Sequence, residues 1–165
     1  MKARQRREQG SMLVALVLSL PILLLLLALA IEAGQLFYVR ALLQAVADHA
    51  ALSAVQLLDF AALAKGDIRL EPDPAVQRAA ETLRDNLDRA GLHQWLSGRQ
   101  IRIRVYNAQP DRPLVDGWTG RALEYPTVCI VVAAQVRPLI WPALALTAEG
   151  LRVEVHADAS VEPRQ

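Results

Sequence analysis

Histidine and cysteine side chains often act in catalysis or bind metals, and their spacing in this chain favours neither role. The three histidines, His49, His93 and His156, are predicted on a helix, in a turn and on the polar face of a strand. They are accompanied by no glycine-rich phosphate loop and no nucleophile motif. The single cysteine, Cys129, lies in the apolar stretch YPTVCIVVAAQV, which favours a buried side chain over a nucleophile. We therefore expect no catalytic residue, no metal site, no cofactor and no enzymatic activity.

The N-terminal segment has the pattern of a peptidase cleavage site. The basic stretch RREQG ends in Gly10, directly before an uncharged run that starts at Ser11. This arrangement resembles prepilins, in which a dedicated peptidase cuts after such a glycine on the cytoplasmic side of the membrane. The glutamate that prepilins usually carry five residues after the cut is Ala15 here. The resemblance implies processing between Gly10 and Ser11, with a prepilin peptidase as a partner.

The uncharged run is long enough to cross a bilayer. It has 21 residues, from Ser11 to Ile31, and a helix rising about 1.5 Å per residue would span the roughly 30 Å hydrocarbon core with that length. Basic residues concentrate before it, which places the N-terminus in the cytoplasm and the rest of the chain outside. The sequence predicts a cytoplasmic basic leader over residues 1–10 and a transmembrane helix over residues 11–34.

The same run could also be a secretory signal peptide. Ala28 and Ala30 flank Leu29 in a small-x-small pattern that signal peptidase accepts, with cleavage after Ala30. The apolar region of a signal peptide is usually only about 7–15 residues long, and this one is longer. A permanent anchor and a processed pilin-like helix are therefore favoured, and a secretory signal cleaved after Ala30 stays a third alternative.

Residues 35–63 are predicted to continue the helix beyond the membrane, since they contain no Gly or Pro and are rich in Ala and Leu. Apolar residues recur at spacings of three and four, whereas Arg40, Gln44 and Asp48 form a polar stripe one turn apart. Such an amphipathic helix packs its apolar face either on the chain's own head or on neighbouring subunits.

Residues 64–165 are predicted to form an α+β head outside the cytoplasm. A second helix is expected from an N-cap at Asp73 to about Ala90. Its buried face is expected to comprise four residues. These are Val76, Ala80, Leu83 and Leu87.

Three segments with strand patterns follow that helix. IRIRVY and LRVEVHADASVE alternate between apolar and polar residues, with the apolar residues from Ile101 and from Leu151 onward facing inward, whereas TVCIVVAAQV is apolar on both faces. No helix separates the three, so a small antiparallel sheet with the second segment at its centre is expected. The apolar LIWP stretch, Leu139 to Pro142, lies either in the core or against the membrane surface or a partner.

The charge distribution excludes a nucleic-acid-binding protein. The 18 basic and 17 acidic residues nearly balance, and beyond Gly10 the counts are 14 and 16. No basic stripe interleaved with aromatic residues occurs after the N-terminus.

The order of these N-terminal features resembles TadE/TadG-like proteins of the tight-adherence (Flp) pilus system. Their pattern of an acidic residue, a spacer and a glycine at the helix exit is matched by Glu32, Ala33 and Gly34. Gln44, Asp48 and the Ala-rich run that follows match the next part of the pattern. The resemblance covers about residues 6–58.

The resemblance implies a non-enzymatic component of a tight-adherence pilus or related secretion apparatus, with a pseudopilin-like head. It would act as a minor pilin-like subunit or an assembly factor in the bacterial cytoplasmic membrane, or enter the pilus. Its partners would be the lipid bilayer and other pilus or secretion-system subunits. Glu32, Gly34, Gln44 and Asp48 would serve helix packing and assembly. The alternative is a single-pass protein whose head is a membrane-tethered binding module.

Overall fold

One long helix, α1 (Lys2–Ala54), begins the fold. The computed structural model describes the backbone of residues 2–140 and 150–162, and their side chains from Val14 onward. With 53 residues, α1 is about 80 Å long, and it continues through Pro21. The predicted transmembrane segment and the first part of its predicted extension, up to Ala54, are thus one continuous helix.

The prediction that this helix reaches Leu63 is wrong, because α1 ends at Ala54 and a separate short helix, α2 (Phe60–Leu63), follows. The carboxylate of Asp59 accepts hydrogen bonds from the backbone N–H groups of Ala61 and Ala62 and so caps α2. The backbone N–H of Asp59 in turn donates a hydrogen bond to the backbone carbonyl of Arg69. An N-cap competes with continuation of α1, and helix propensity alone does not reveal it.

The second predicted helix is α3 (Pro72–Arg89), and its start differs from the predicted one. Its N-cap is Glu71 rather than Asp73, because Pro72 occupies the first turn, where no N–H is needed. Leu83 and Leu87 are buried as expected, but the earlier positions of the buried face are Ala75 and Ala79. Val76 and Ala80, predicted inward, are exposed, since the face continues at a spacing of four from Leu87.

The C-terminal part is the predicted antiparallel sheet. After a 3₁₀ turn (Leu92–Gln94), its strands are β1 (Leu96–Tyr106), β4 (Thr127–Val136) and β5 (Leu151–Ser160), in the order β1-β4-β5. A small hairpin of β2 (Leu114–Val115) and β3 (Ala122–Leu123) lies between β1 and β4 in the chain. The predicted α+β class and the central place of the second strand segment are both confirmed.

The inner face of the sheet packs against α1 and α3 in one core. The strands contribute alternating apolar residues to it, and nine come from β4 and β5. These are Val128, Ile130, Val132, Ala134, Val136, Val153, Val155, Ala157 and Ala159. Ile101 and Leu151, which were predicted inward, are 45% and 51% exposed at the two edge strands.

The C-terminal half of α1 supplies the other side of this core. Its buried apolar residues include Val39, Leu43, Ala47 and Ala50. The apolar face of the helix extension therefore packs on the chain's own head, which decides between the two arrangements that the sequence left open.

Candidate functional site at the exit of the apolar helix

The apolar half of α1 exposes nearly all of its large side chains. Among the described residues, α1 is the one helix that is long and apolar enough to cross a membrane. From Val14 to Ile31 its large apolar side chains are between 47% and 67% exposed. A contiguous apolar surface of this size matches a bilayer interior. The helix is thus compatible with a single-pass anchor.

Glu32 follows this surface directly, yet only 6% of it is exposed. Its two carboxylate oxygens accept hydrogen bonds from the backbone N–H groups of Leu139 at 2.9 Å and Ile140 at 3.0 Å. Hydrogen bonds to an ionised acceptor are stronger than neutral ones. Glu32 therefore fastens the chain that leaves β4 to α1.

Gln35 adds a second bond to the same stretch one turn further along. Its Nε2 donates to the backbone carbonyl of Arg137 at 3.1 Å. The other amide atom, Oε1, is buried and has no hydrogen-bond partner among the described residues. Gln35 was not singled out from the sequence, although it stands three residues after Glu32 on the same helix face.

Gln44 and Asp48 form a third contact with the head. The Nε2 of Gln44 donates to Asp48 Oδ1 and to the backbone carbonyl of His156, both at 2.8 Å. His156 lies in β5, which is an edge strand of the sheet. Gln44 thus binds α1 to the free edge of the sheet, and Asp48 holds the second hydrogen of the Gln44 amide.

Gly34 makes no contact of this kind. It is exposed, and among the described residues no heavy atom outside the adjoining backbone of α1 lies within 4 Å of the position a Cβ would occupy there. The proposed packing residues therefore fall into two groups. Glu32, Gln44 and Asp48 are engaged within the chain, whereas Gly34 leaves an open surface. Gly10 and Ser11 lie outside the residues whose side chains the structure describes, as do Trp141 and Pro142 of the LIWP stretch.

A second polar cluster lies on the outer face of the sheet, around Asp116. This carboxylate is 1% exposed. Burial raises its pKa, but hydrogen bonds from Thr119, Trp118 and Tyr106 outweigh burial and hold the pKa below its ordinary value. Asp116 therefore stays ionised and organises the turn that leads from β2 to β3.

His156 and Cys129 lie beside Asp116. The Nε2 of His156 is 3.8 Å from Asp116 Oδ2, and the possible metal-ligand atoms of the three residues lie within 4.8 Å of one another. Burial, followed by the negative charges of Asp116 and Asp158, raises the pKa of the Cys129 thiol to about 12. A cation could use these three groups only by displacing the thiol proton and a hydrogen bond to Asp116.

One local signal for this cluster is visible in the sequence. Asp116 and Thr119 have the spacing of a side-chain-capped turn, D-x-x-T. The approach of His156 depends on sheet register, which pairs Cys129 with Asp158 and places His156 on the same face.

Trp118 closes the outer face over two arginines of β1. The guanidinium carbons of Arg104 and Arg102 lie 4.9 and 5.5 Å from its ring centroid. The ring also packs against the small cluster of Ala108, Leu123 and Cys129. These contacts explain why Cys129 is buried on a face that carries polar residues.

Comparison with known proteins adds one finding. Residues 10–52 match the family model of TadE-like proteins, which is about a quarter of the chain. No curated protein and no solved structure matches the chain. The matched residues cover the apolar half of α1, its exit and the turns that enter the head. This N-terminal region is therefore similar to TadE-like proteins.

Proposed function

We propose that the chain is a non-enzymatic, membrane-anchored component of a tight-adherence (Flp) pilus or a related secretion apparatus. It acts there as a minor pilin-like subunit or as an assembly factor. The observation that carries this proposal is the coincidence of the TadE-like match with one structural unit. The match ends at residue 52, two residues before α1 ends, and it includes the exposed apolar helix.

The mechanism is mechanical. The apolar half of α1 partitions into the cytoplasmic membrane, with the basic leader on the cytoplasmic side. Because the other half of α1 belongs to the core of the head, any tilt or displacement of the helix moves the head with it. The exposed surface at Gly34 allows a neighbouring helix to approach closely, as small residues do in membrane helix pairs.

The first test is isolation of the tagged chain from membranes of its own host. Other pilus or secretion-system proteins should be recovered with it, and deletion of its gene should reduce pilus assembly. Recovery of the chain alone, together with normal pili in the deletion strain, would reject the proposal.

The second test is the N-terminal sequence and intact mass of the same preparation. A start at Ser11 identifies a processed pilin-like subunit and a prepilin peptidase as a partner. A start at Met1 identifies a permanently anchored assembly factor. Loss of residues up to Ala30 would mean that α1 is a secretory signal, and the anchor would be rejected.

A second candidate function, a membrane-tethered binding module, is favoured by a cavity in the head. Its volume is about 400 Å³, and its lining includes Lys65, Asp67 and Tyr125. This is the lower range of small-molecule pockets. Saturable binding of a small molecule by the purified chain, with no pilus protein recovered alongside it, would support this alternative against the first.

A further inference from the structure

The chain that leaves β4 is bonded to α1 at the end of its apolar surface. Glu32 binds the backbone of Leu139 and Ile140, and Gln35 binds the backbone of Arg137. Two polar side chains of one helix face thus hold the segment 137–140 against α1 through three of its four residues. In these contacts, α1 supplies side chains and the bound segment supplies only backbone groups. The side chain of Leu139 is therefore left for another contact, and Leu139 is 52% exposed.

The position of Leu139 along α1 follows from helix geometry. Each Cα–Cβ bond of a helix tilts toward its N-terminus, so the side chain of Glu32 leans toward the apolar half of α1. Leu139 N lies 2.9 Å from Glu32 Oε1, and Ile31, one residue earlier, is 47% exposed. Leu139 therefore lies at the level where the apolar surface of α1 ends.

Two aromatic residues of α1 give a second reference level. Phe37 and Tyr38 are 71% and 66% exposed. They stand five and six residues beyond Glu32, about 8 Å further along the axis at the usual helical rise. Exposed aromatic residues at the end of a membrane helix are typical of the lipid headgroup level. Leu139 is consequently on the hydrocarbon side of these aromatic residues.

We propose that residues 137–140 are a second membrane contact of this protein. The side chain of Leu139 inserts at the boundary between the phospholipid headgroups and acyl chains, and the exposed Arg137 binds headgroup phosphate. The inference rests on the proposed membrane insertion of α1. Its consequence is that the head is held on the bilayer at two places, so that it has one orientation instead of swinging about α1.

Phospholipid fits this surface better than a second copy of the chain does. The exposed side chain of Leu139 continues the apolar surface of α1 at its upper end, and Ile31 and Leu29 lie just below. A bilayer that surrounds α1 necessarily reaches this level. The bonds from Glu32 and Gln35 fix the segment at that height in the single chain.

The test uses the full chain in phospholipid vesicles containing phosphatidylglycerol. Cys129→Ala removes the native thiol, and Leu139→Cys carries an environment-sensitive bimane label. The matched control is Leu52→Cys, which has similar exposure, 57%, and stands about 30 Å further along α1. The Leu139 label should be quenched by doxyl-labelled lipid and protected from aqueous iodide, and the Leu52 label should show the reverse.

A label at Leu24→Cys, in the middle of the apolar segment, separates the two proposals. If doxyl lipid fails to quench it, α1 is not inserted and the proposed function fails. If the Leu24 label is quenched but the Leu139 label is open to iodide, only the second contact is rejected. Protection of the Leu139 label from both quenchers would mean that protein covers it, which also rejects the lipid contact.

Glu32→Gln tests whether the hydrogen bonds from Leu139 and Ile140 to Glu32 set the depth of this segment. The amide keeps the size of the side chain but loses the charge and one of its two acceptor oxygens. The Leu139 label should then become more accessible to iodide, while the Leu24 label stays quenched by doxyl lipid. An unchanged Leu139 label in this variant would overturn the assignment of Glu32 as the residue that sets the depth.

Discussion

Asp116 shows how one buried charge can organise a turn through its hydrogen bonds. Each of its oxygens accepts two hydrogen bonds, and the donors include backbone groups of Trp118 and Thr119 and the Tyr106 hydroxyl. A carboxylate with four donors is well satisfied, whereas removal of one acceptor leaves buried donors unpaired. Since Asp116 fixes the turn that covers Cys129, its effect reaches the outer face of the sheet.

We expect Asp116→Asn to destabilise the head by about 1–3 kcal/mol, the usual cost of an unsatisfied buried group. The introduced NH₂ group faces N–H and O–H donors, and it cannot accept hydrogen bonds from them. Asp158→Asn is the control, because Asp158 pairs with an exposed arginine, Arg121, in a bond worth at most about 1 kcal/mol. Chemical denaturation of the detergent-solubilised chain measures both. Equal effects of the two substitutions would contradict the assigned role of Asp116.

The thiol of Cys129 should resist alkylation in the folded chain at pH 8. Its pKa is raised to about 12, so the reactive thiolate is scarce, and 1% exposure blocks the reagent. Because the pKa of the Cys129 thiol is higher in the folded chain than its ordinary value of 9.0, its protonated form contributes to folding stability below pH 9.0. This contribution is lost as the pH rises toward 12. Iodoacetamide labelling followed by mass measurement checks this, with the chain in denaturant as the fully reactive control. Rapid labelling under native conditions would show that the outer face opens.

At the scale of single elements, Gln44 links two units that the sequence presents separately. It lies 112 residues from His156, and its amide joins α1 to the edge of β5. The pattern Gln44 to Asp48 was visible as a polar stripe. Its partner was not, because alternation along a strand predicts faces but not which carbonyl meets a helix.

We expect Gln44→Glu to destabilise the fold by about 1–3 kcal/mol, because a carboxylate would face both Asp48 and the carbonyl of His156 with no proton to donate. Gln77→Glu is a matched control. Gln77 donates a hydrogen bond to Glu81 one turn away on the exposed face of α3, and among the described residues it has no partner in a strand. Like charges at this spacing on a helix surface cost only about 0.2–0.5 kcal/mol. Thermal unfolding of the two variants side by side makes the comparison. A similar shift in both would remove the strand contact from the explanation.

Gly34→Leu should leave the single chain folded and impair assembly. Among the described residues, no heavy atom outside the adjoining backbone of α1 lies within 4 Å of the added Cβ, and leucine favours a helix by nearly 1 kcal/mol over glycine. Added bulk, however, prevents close approach of a neighbouring helix. Circular dichroism should be unchanged and the denaturation midpoint should stay the same or rise slightly, while pilus formation or co-purification of partners falls. Gly34→Ala is the small-residue control and should preserve assembly. Normal assembly with leucine would exclude Gly34 from the interface.

The elements themselves were largely predictable because their patterns are local. The run TVCIVVAAQV identified central β4, and the uncharged segment identified the apolar half of α1. Errors arose where one residue decides the outcome. Asp59 caps a new helix after α1 has ended, and Pro72 takes the first turn of α3, which the sequence had assigned to Asp73 and Pro74.

The sequence singles out candidate residues on α1 but does not predict their contacts. Glu32, Gly34, Gln44 and Asp48 stood out by order and spacing on one helix. The partners of Glu32 are backbone groups 107 and 108 residues away, which carry no sequence signature. Only the tertiary fold brings them together, so the fastening of the head to α1 could not be derived from the chain alone.

On the scale of the whole molecule, α1 and the head are one folded unit. The half of α1 that lies beyond the apolar segment contributes seven buried residues to the head core, and the residue that follows α1 adds an eighth. These are Val39, Leu43, Val46, Ala47, Ala50, Ala51, Ala54 and Val55. A head beginning at residue 64 therefore lacks one wall of its own core, and the sheet's inner face would be open to water.

A fragment of residues 32–165 should fold in solution, whereas residues 64–165 alone should not. The first retains Glu32, Gln35 and the buried half of α1, and it loses only the exposed apolar segment. The second loses Leu43 and three valines from the core. Burial of each is worth about 1.5–3 kcal/mol, and together they rival the roughly 5–15 kcal/mol that stabilises a typical domain. Cooperative urea unfolding and amide protection should appear for the longer fragment only. Adding residues 32–63 as a separate peptide should restore protection to the shorter one, because the missing wall is then supplied in trans. Cooperative unfolding of residues 64–165 alone, at the midpoint of the longer fragment, would mean that α1 rests on a head already complete without it.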